Sequence, residues 1–242
     1  MTAHLFALGF DAQDPPALAR FWAGVLGREI AAGTTLLPDS DDGFRIRFLP
    51  TEEPKTHPNQ MHFDLTSGSP EEQQATVARV LELGGRHLDI GQLPEEEHVV
   101  MADPEGNEFC VIEAGNNFLA DTGVIGALSS DGSQRVGYFW SEALGWPLVW
   151  DQDEETAIQS TGGGSKISWG GPPWREKTGK NRLHLDLRPA AGGGQQDEVD
   201  RLVALGAVRL GLGQCGADWV AMADPDGNEF CVGGPAPDAH RF

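Results

Sequence analysis

Two short strings carry the side chains best suited to chemistry. "MHFDL", Met61 to Leu65, sets an imidazole and a carboxylate two residues apart, and "LHLDL", Leu183 to Leu187, repeats the pair as His184 and Asp186. Each is followed by a cysteine in the string "NEFCV", Cys110 in the first case and Cys231 in the second. Side chains alternate across a strand, so His62 and Asp64 share one face while Met61, Phe63 and Leu65 share the other. Histidine and aspartate are general acid–base groups, and a thiol within hydrogen-bond reach of a histidine is a nucleophile. The catalytic candidates are therefore His62, Asp64, Cys110, His184, Asp186 and Cys231. An i, i+2 pair on one strand face is about 7 Å apart, a spacing expected to grip one ligand between the two groups rather than form a direct dyad.

A second set of residues could bind rather than react. Trp150, Trp169, Trp174 and Trp219 cluster in the second half, with "GGPPW" as a loop over one end, and Arg47 and Glu108 fall on strands near the polar pairs. Tryptophan faces stack on planar or cationic guests, the latter gaining about 0.5–2 kcal/mol each. Trp22 and Trp140 lie instead on helical patterns and are expected in the core.

Composition narrows the partners. With 37 acidic against 17 basic residues the net charge is −20, which opposes binding to phosphate backbones and anionic lipid surfaces. There is no apolar run long enough to cross a bilayer, and "MTAHLFALGFDAQD" lacks the basic flank of a secretory signal. A small molecule is the expected partner, and the cytoplasm the expected location. Three cysteines without a Cys-x-x-Cys spacing fit neither a disulfide framework nor a zinc cage, so free thiols are expected.

The elements that must position these groups recur. "RFWAGVLG" returns as "YFWSEALG", "QMHFDLTS" as "RLHLDLRP" and "MADPEGNEFCV" as "MADPDGNEFCV", at offsets of 118, 122 and 121 residues. A unit of about 120 residues is thus duplicated, giving expected domains 1–117 and 118–242. Within each unit a strand–helix–strand–strand–strand order runs twice. The first helix is predicted from Asp14 as cap, with prolines in its first turn and Gly27 as stop; the second runs from Pro70 to Leu83 behind Ser69. One strand of the first module is expected somewhere in Thr51 to Asn59. Asp-Pro-x-Gly-Asn is turn chemistry that reverses the chain before each last strand. The fold class is α+β, four βαβββ modules making two domains, each a curled mixed sheet with helices on its outer face.

Four such modules, with "HFDL" and "HLDL" opening alternate ones and "DPEGNEF" before a last strand, resemble the vicinal oxygen chelate superfamily. The chain is similar to its tandem glyoxalase-like, bleomycin-resistance and extradiol-dioxygenase group. Metal enzymes of that group place a His on the first strand, in some a Glu late in the first module, a His opening the second module and a Glu on the last strand. The resemblance puts the third position at His62 and His184, the fourth at Cys110 and Cys231, and the second at Arg47 and Ser168. The first falls at Ala7, or at His4 with an insertion, and at Thr122 or Ile125 in the second half. The expectation is a cleft with no metal and no cofactor, and the alternative is one divalent transition metal in the first domain on His4, His62 and Cys110. The resemblance implies a binder of an antibiotic-like or aromatic, cationic compound, a metal-dependent lyase or dioxygenase, or a metal-free acid–base enzyme on His62 or His184. Relatives pair as dimers, so the chain is expected either to imitate that pairing internally as a monomer, with the strand of Leu5 beside that of Val232, or to form a homodimer.

Overall fold

The computed structural model describes residues 2–40, 43–93, 95–175, 177–211, 215–216 and 218–235; Met1 and residues 236–242, which the expected domain bounds include, lie outside them. The first module comprises β1 (His4–Ala12), α1 (Pro15–Leu26), β2 (Ile30–Ala31), β3 (Thr35–Leu36) and β4 (Arg45–Pro50). The second comprises β5 (Met61–Leu65), α2 (Pro70–Glu82), β6 (Arg86–His87), β7 (Val99–Ala102) and β8 (Glu108–Val111). The third runs β9 (Ile125–Ser130), α3 (Gln134–Leu144), β10 (Leu148–Gln152), β11 (Glu155–Ser160) and β12 (Gly163–Trp169). The fourth runs β13 (Leu183–Arg188), α4 (Gln195–Leu205), β14 (Val208–Arg209), β15 (Trp219–Ala223) and β16 (Glu229–Gly233).

Local signals act as the residues suggest. Asp14 caps α1 by accepting from the Ala17 amide at 3.0 Å, and Gly27 ends it in the left-handed conformation at φ 68°. Ser69 caps α2 on the Glu72 amide. The strand expected within Thr51 to Asn59 is absent. Its place in the count is taken by β2 and β3, because the chain from Glu29 to Leu37 turns back on itself, with Ala32 and Gly33 at positive φ.

The strands form two eight-stranded mixed sheets. Sheet A has the order β14-β15-β16-β13-β1-β4-β3-β2, and sheet B the order β10-β11-β12-β9-β5-β8-β7-β6. Each sheet therefore joins one module from each half of the chain, through the antiparallel pairs β1 with β13 and β5 with β9. The strand of Leu5 accordingly shares a sheet with that of Val232, with β13 between them.

What each half holds in common is the packing between sheets. Trp22 of α1 lies 6.3 Å from Phe10 on sheet A and 4.9 Å from both Phe63 and Phe109 on sheet B, ring centre to ring centre. Its Nε1 donates to Asp103 at 3.2 Å, and Trp140 of α3 does the same to Asp224 at 3.1 Å. The variable residue of each Asp-Pro-x-Gly-Asn turn reaches the helix of its own half. Glu105 accepts from the Gln13 and Asp14 amides, and Asp226 from the Ser133 amide and hydroxyl. Helices thus cover one face of each sheet, and the opposite faces carry His, Asp and Cys.

Candidate active site

The strand registers bring five side chains together on the helix-free face of sheet B. His62 on β5 pairs with Ser129 on β9, Ser129 with Ser168 on β12, and Asp64 with Cys110 on β8. Ser129 Oγ donates to Asp64 at 2.5 Å and lies 3.2 Å from Ser168 Oγ. His62 Nε2 stands 3.4 Å from Asp64 Oδ1, so the two heads meet directly, a correction to the dyad-excluding spacing of their backbones. Ligand atoms of His62, Asp64 and Cys110 all fall within 4.8 Å of one another.

These contacts set the charges. Burial works against a charged imidazole, but hydrogen bonds to Asp64 and Cys110 and the carboxylate's field prevail and raise His62 to about 10. Burial pushes the Cys110 thiol up, with His62 pulling the other way. At neutral pH the floor is an imidazolium–carboxylate pair beside a protonated thiol.

Above this floor opens a cleft of about 590 Å³, within the range of small-molecule sites. Trp150, Trp169, Phe118, Val100 and Ile90 supply apolar wall. Phe118 meets Trp150 edge-on at 6.4 Å. Glu108 lines the cleft with its charge answered by Lys55 at 2.7 Å, while Asp131, whose carboxyl burial raises, faces Arg175 at 3.9 Å.

Sheet A repeats the register and fills the space. His184 pairs with Gly9, Gly9 with Arg47, and Asp186 with Cys231. Gly9 stands where Ser129 stands in sheet B, and a Cβ there would collide with the His184 ring. Arg47 donates to the buried Asp186 at 2.8 Å, and its guanidinium lies 5.1 Å from the Trp219 ring. Phe6 sits at a bulge in β1 and stacks under Arg188 at 4.0 Å; the matching bulge in sheet B carries Gly126. Arg47, Phe6, Arg188 and Trp219 together close the face. His184 reaches Asp186 at 3.4 Å, yet among the described residues its Nε2 has no hydrogen-bond partner.

Several expectations are corrected here. Cys231 is joined to Cys215 in a disulfide with Cα atoms 6.0 Å apart, so Cys110 is the free cysteine and Cys231 carries no thiolate. Cys215, which the repeat leaves without a counterpart, is therefore not the free thiol expected of it. His4 lies on sheet A while His62 and Cys110 lie on sheet B, so the metal alternative on those three has no common site. On the first strand of each half it is Gly9 that stands opposite His184 and Ser129 opposite His62, whereas Ala7 stands opposite Asp186 and Ile125 opposite Leu65. Of the expected ligand-binding residues, Glu108, Trp150 and Trp169 line the cleft. Arg47 and Trp219 belong to the filled face, and Trp174 lines a separate hollow with Lys177 and Asp226. Ser129 is a residue that sequence reasoning did not select, and it stands between His62 and Ser168, the latter at the second position that the resemblance gives.

The family profile described as Glyoxalase-like domain matches residues 7–112 and again residues 127–233. The chain belongs to this family. Among solved structures, the glyoxalase-like chain is similar to glyoxalase I from Zea mays, with 13% identity over 96% of this chain and 92% of that one, at a TM-score of 0.60. It is likewise similar to a proposed dioxygenase from Bacillus subtilis, with 14% identity over 98% and 86% and a TM-score of 0.63. At such identity the likeness is one of fold. No curated protein sequence matches. Among the described residues no helix of this glyoxalase-like protein is long and apolar enough to cross a membrane.

Proposed function

We propose that the sheet B cleft binds, without a metal ion, a flat and largely apolar small molecule of the aromatic, antibiotic-like kind. The ligand presents an oxygen acceptor to His62. The observation that carries this reading is the pairing of aromatic walls, Trp150, Trp169 and Phe118, with the His62 imidazole held by Asp64 at the floor. A charged donor in a partly dry site makes a strong hydrogen bond to a carbonyl or phenolate oxygen, while the rings stack on the remainder. Sheet A, filled by its own side chains, serves as scaffold.

The donor set does not fit the oxygen-rich metal centre that the resemblance raises. The four converging positions supply one imidazole, two hydroxyls and a thiol, where Mg²⁺ or Mn²⁺ requires carboxylates. Asp64, the one carboxylate within reach, is already engaged by Ser129 and His62.

Calorimetry against anthracycline, glycopeptide and enediyne compounds, run with and without a chelator, tests the reading. Saturable binding that survives chelation and weakens in Trp150→Ala supports it; binding that requires an added divalent ion overturns it. A second reading has the same floor act as an acid, since Asp64 holds His62 protonated beside any bound carbonyl. It requires turnover that His62→Gln abolishes without abolishing binding.

A further inference from the structure

We propose that Cys110 captures its ligand covalently, adding as a thiol to an α,β-unsaturated carbonyl such as a quinone; this rests on the binding reading of the same cleft. Cys110 is the chain's free cysteine, a largely buried residue that lines the cleft with its sulfur within 4.8 Å of the ligand atoms of His62 and Asp64.

The duplicated sheet shows where a sulfur at this register position points. Cys231 occupies the same place on β16 that Cys110 occupies on β8, opposite Asp186 as Cys110 is opposite Asp64. Its sulfur clusters with His184 and Asp186 and is bonded to the Cys215 sulfur. In one sheet the position therefore already carries a covalent partner. In the other, the same position faces a cavity of about 590 Å³.

The cleft's chemistry selects the class of electrophile. In a conjugated carbonyl the acceptor oxygen and the electrophilic carbon are three bonds apart, on one flat skeleton. His62 and Cys110, within 4.8 Å of each other, suit those two atoms, and the aromatic walls suit the rest. As the sulfur–carbon bond forms, the carbon–carbon π pair shifts and places negative charge on oxygen. His62 donates its proton to that oxygen and takes the proton released by Cys110. The net reaction adds S–H across the conjugated system, and a quinone becomes a hydroquinone thioether. No external oxidant or reductant takes part. Asp64 holds the imidazole in place, as a positioning residue.

The test uses the full chain with its disulfide intact and two probes of one shape. Menadione is a flat quinone; 2-naphthol is flat and not electrophilic. Intact-mass spectrometry and peptide mapping are expected to find one menadione on Cys110, formed at a rate that levels off as the probe saturates the cleft. 2-Naphthol should slow the reaction competitively. His62→Gln is expected to lower the limiting rate about a hundredfold, the scale of a lost general acid, a larger factor than its loss of 2-naphthol affinity. Cys110→Ser should bind 2-naphthol and form no adduct; should that variant fail to fold, protection of wild-type Cys110 from iodoacetamide by 2-naphthol replaces it. Reversible menadione binding without an adduct, or addition no faster than to N-acetylcysteine and linear in concentration, overturns the covalent step and leaves the binding reading standing. Failure of both probes to bind removes both.

Discussion

His62 Nε2 lies 3.4 Å from Asp64 Oδ1 on sheet B, and His184 repeats that distance to Asp186 on sheet A, but it is His62 that lines the cleft of about 590 Å³. The first prediction concerns its protonation. A folded value of about 10 against an ordinary 6.5 means that folding strengthens proton binding at His62. The stabilisation it brings is complete below about 6.5 and is lost as pH rises through about 10. Ring-proton NMR should find His62 still protonated at pH 8. Asp64→Asn should drop its midpoint by at least one unit, and an unchanged midpoint would show that Asp64 is not what holds the charge.

The second prediction separates the two faces. Asp186 is almost wholly buried, and Arg47 answers its charge at 2.8 Å. Arg47→Ala strands that carboxylate and should cost about 3–5 kcal/mol in urea unfolding. Adding Asp186→Asn to Arg47→Ala should recover most of the loss, because the uncompensated charge is then gone. A double variant as unstable as the single one would mean that Arg47 acts through packing on Trp219 instead.

Much of this arrangement was legible in local pattern. Asp14, Gly27 and Ser69 mark their helix ends by types whose cap and left-handed geometries are intrinsic, and the alternation in "HFDL" and "HLDL" assigns the polar face directly. Which strands pair was not legible in the same way. The β1–β13 and β5–β9 contacts are set by tertiary packing, and each module's strands are equally able to pair within their own half. The contrast between the faces is encoded at single positions that read alike in isolation: Arg47 against Ser168, Phe6 against Gly126, Gly9 against Ser129. Their meaning appears only once the bulges fix which side each residue faces.

The third prediction follows from the Cys215–Cys231 bond. Thiol titration of the unreduced chain in guanidinium should count one thiol, and three after reduction. The bond closes a loop of 16 residues' separation, for which chain entropy gives about 3 kcal/mol of stability. Cys215→Ser should show a loss of that order in urea. Because the bond lies on sheet A, ligand affinity at the sheet B cleft should change by less than about twofold.

The fourth prediction rests on the duplicated turns. Asp103 accepts from the Trp22 indole, the Glu105 and Asn107 amides and the Asn107 side chain, and Asp224 repeats the indole and amide contacts with Trp140, Asp226 and Asn228. Burial outweighs these donors and raises each carboxyl to about 6 from an ordinary 3.8. Each group therefore binds its proton more tightly when folded. The stability it contributes is complete below about 3.8 and declines as pH climbs through about 6. Asp103→Asn removes that titration while keeping the shape. The deficit of the variant relative to wild type should be largest near pH 4 and shrink toward pH 7 by roughly 2–3 kcal/mol, the worth of the shift. Asp224→Asn should behave alike, since the same contacts recur in the other half. Urea unfolding at both pH values decides the matter: a deficit that grows with pH would mean that the donors, not burial, govern these carboxyls.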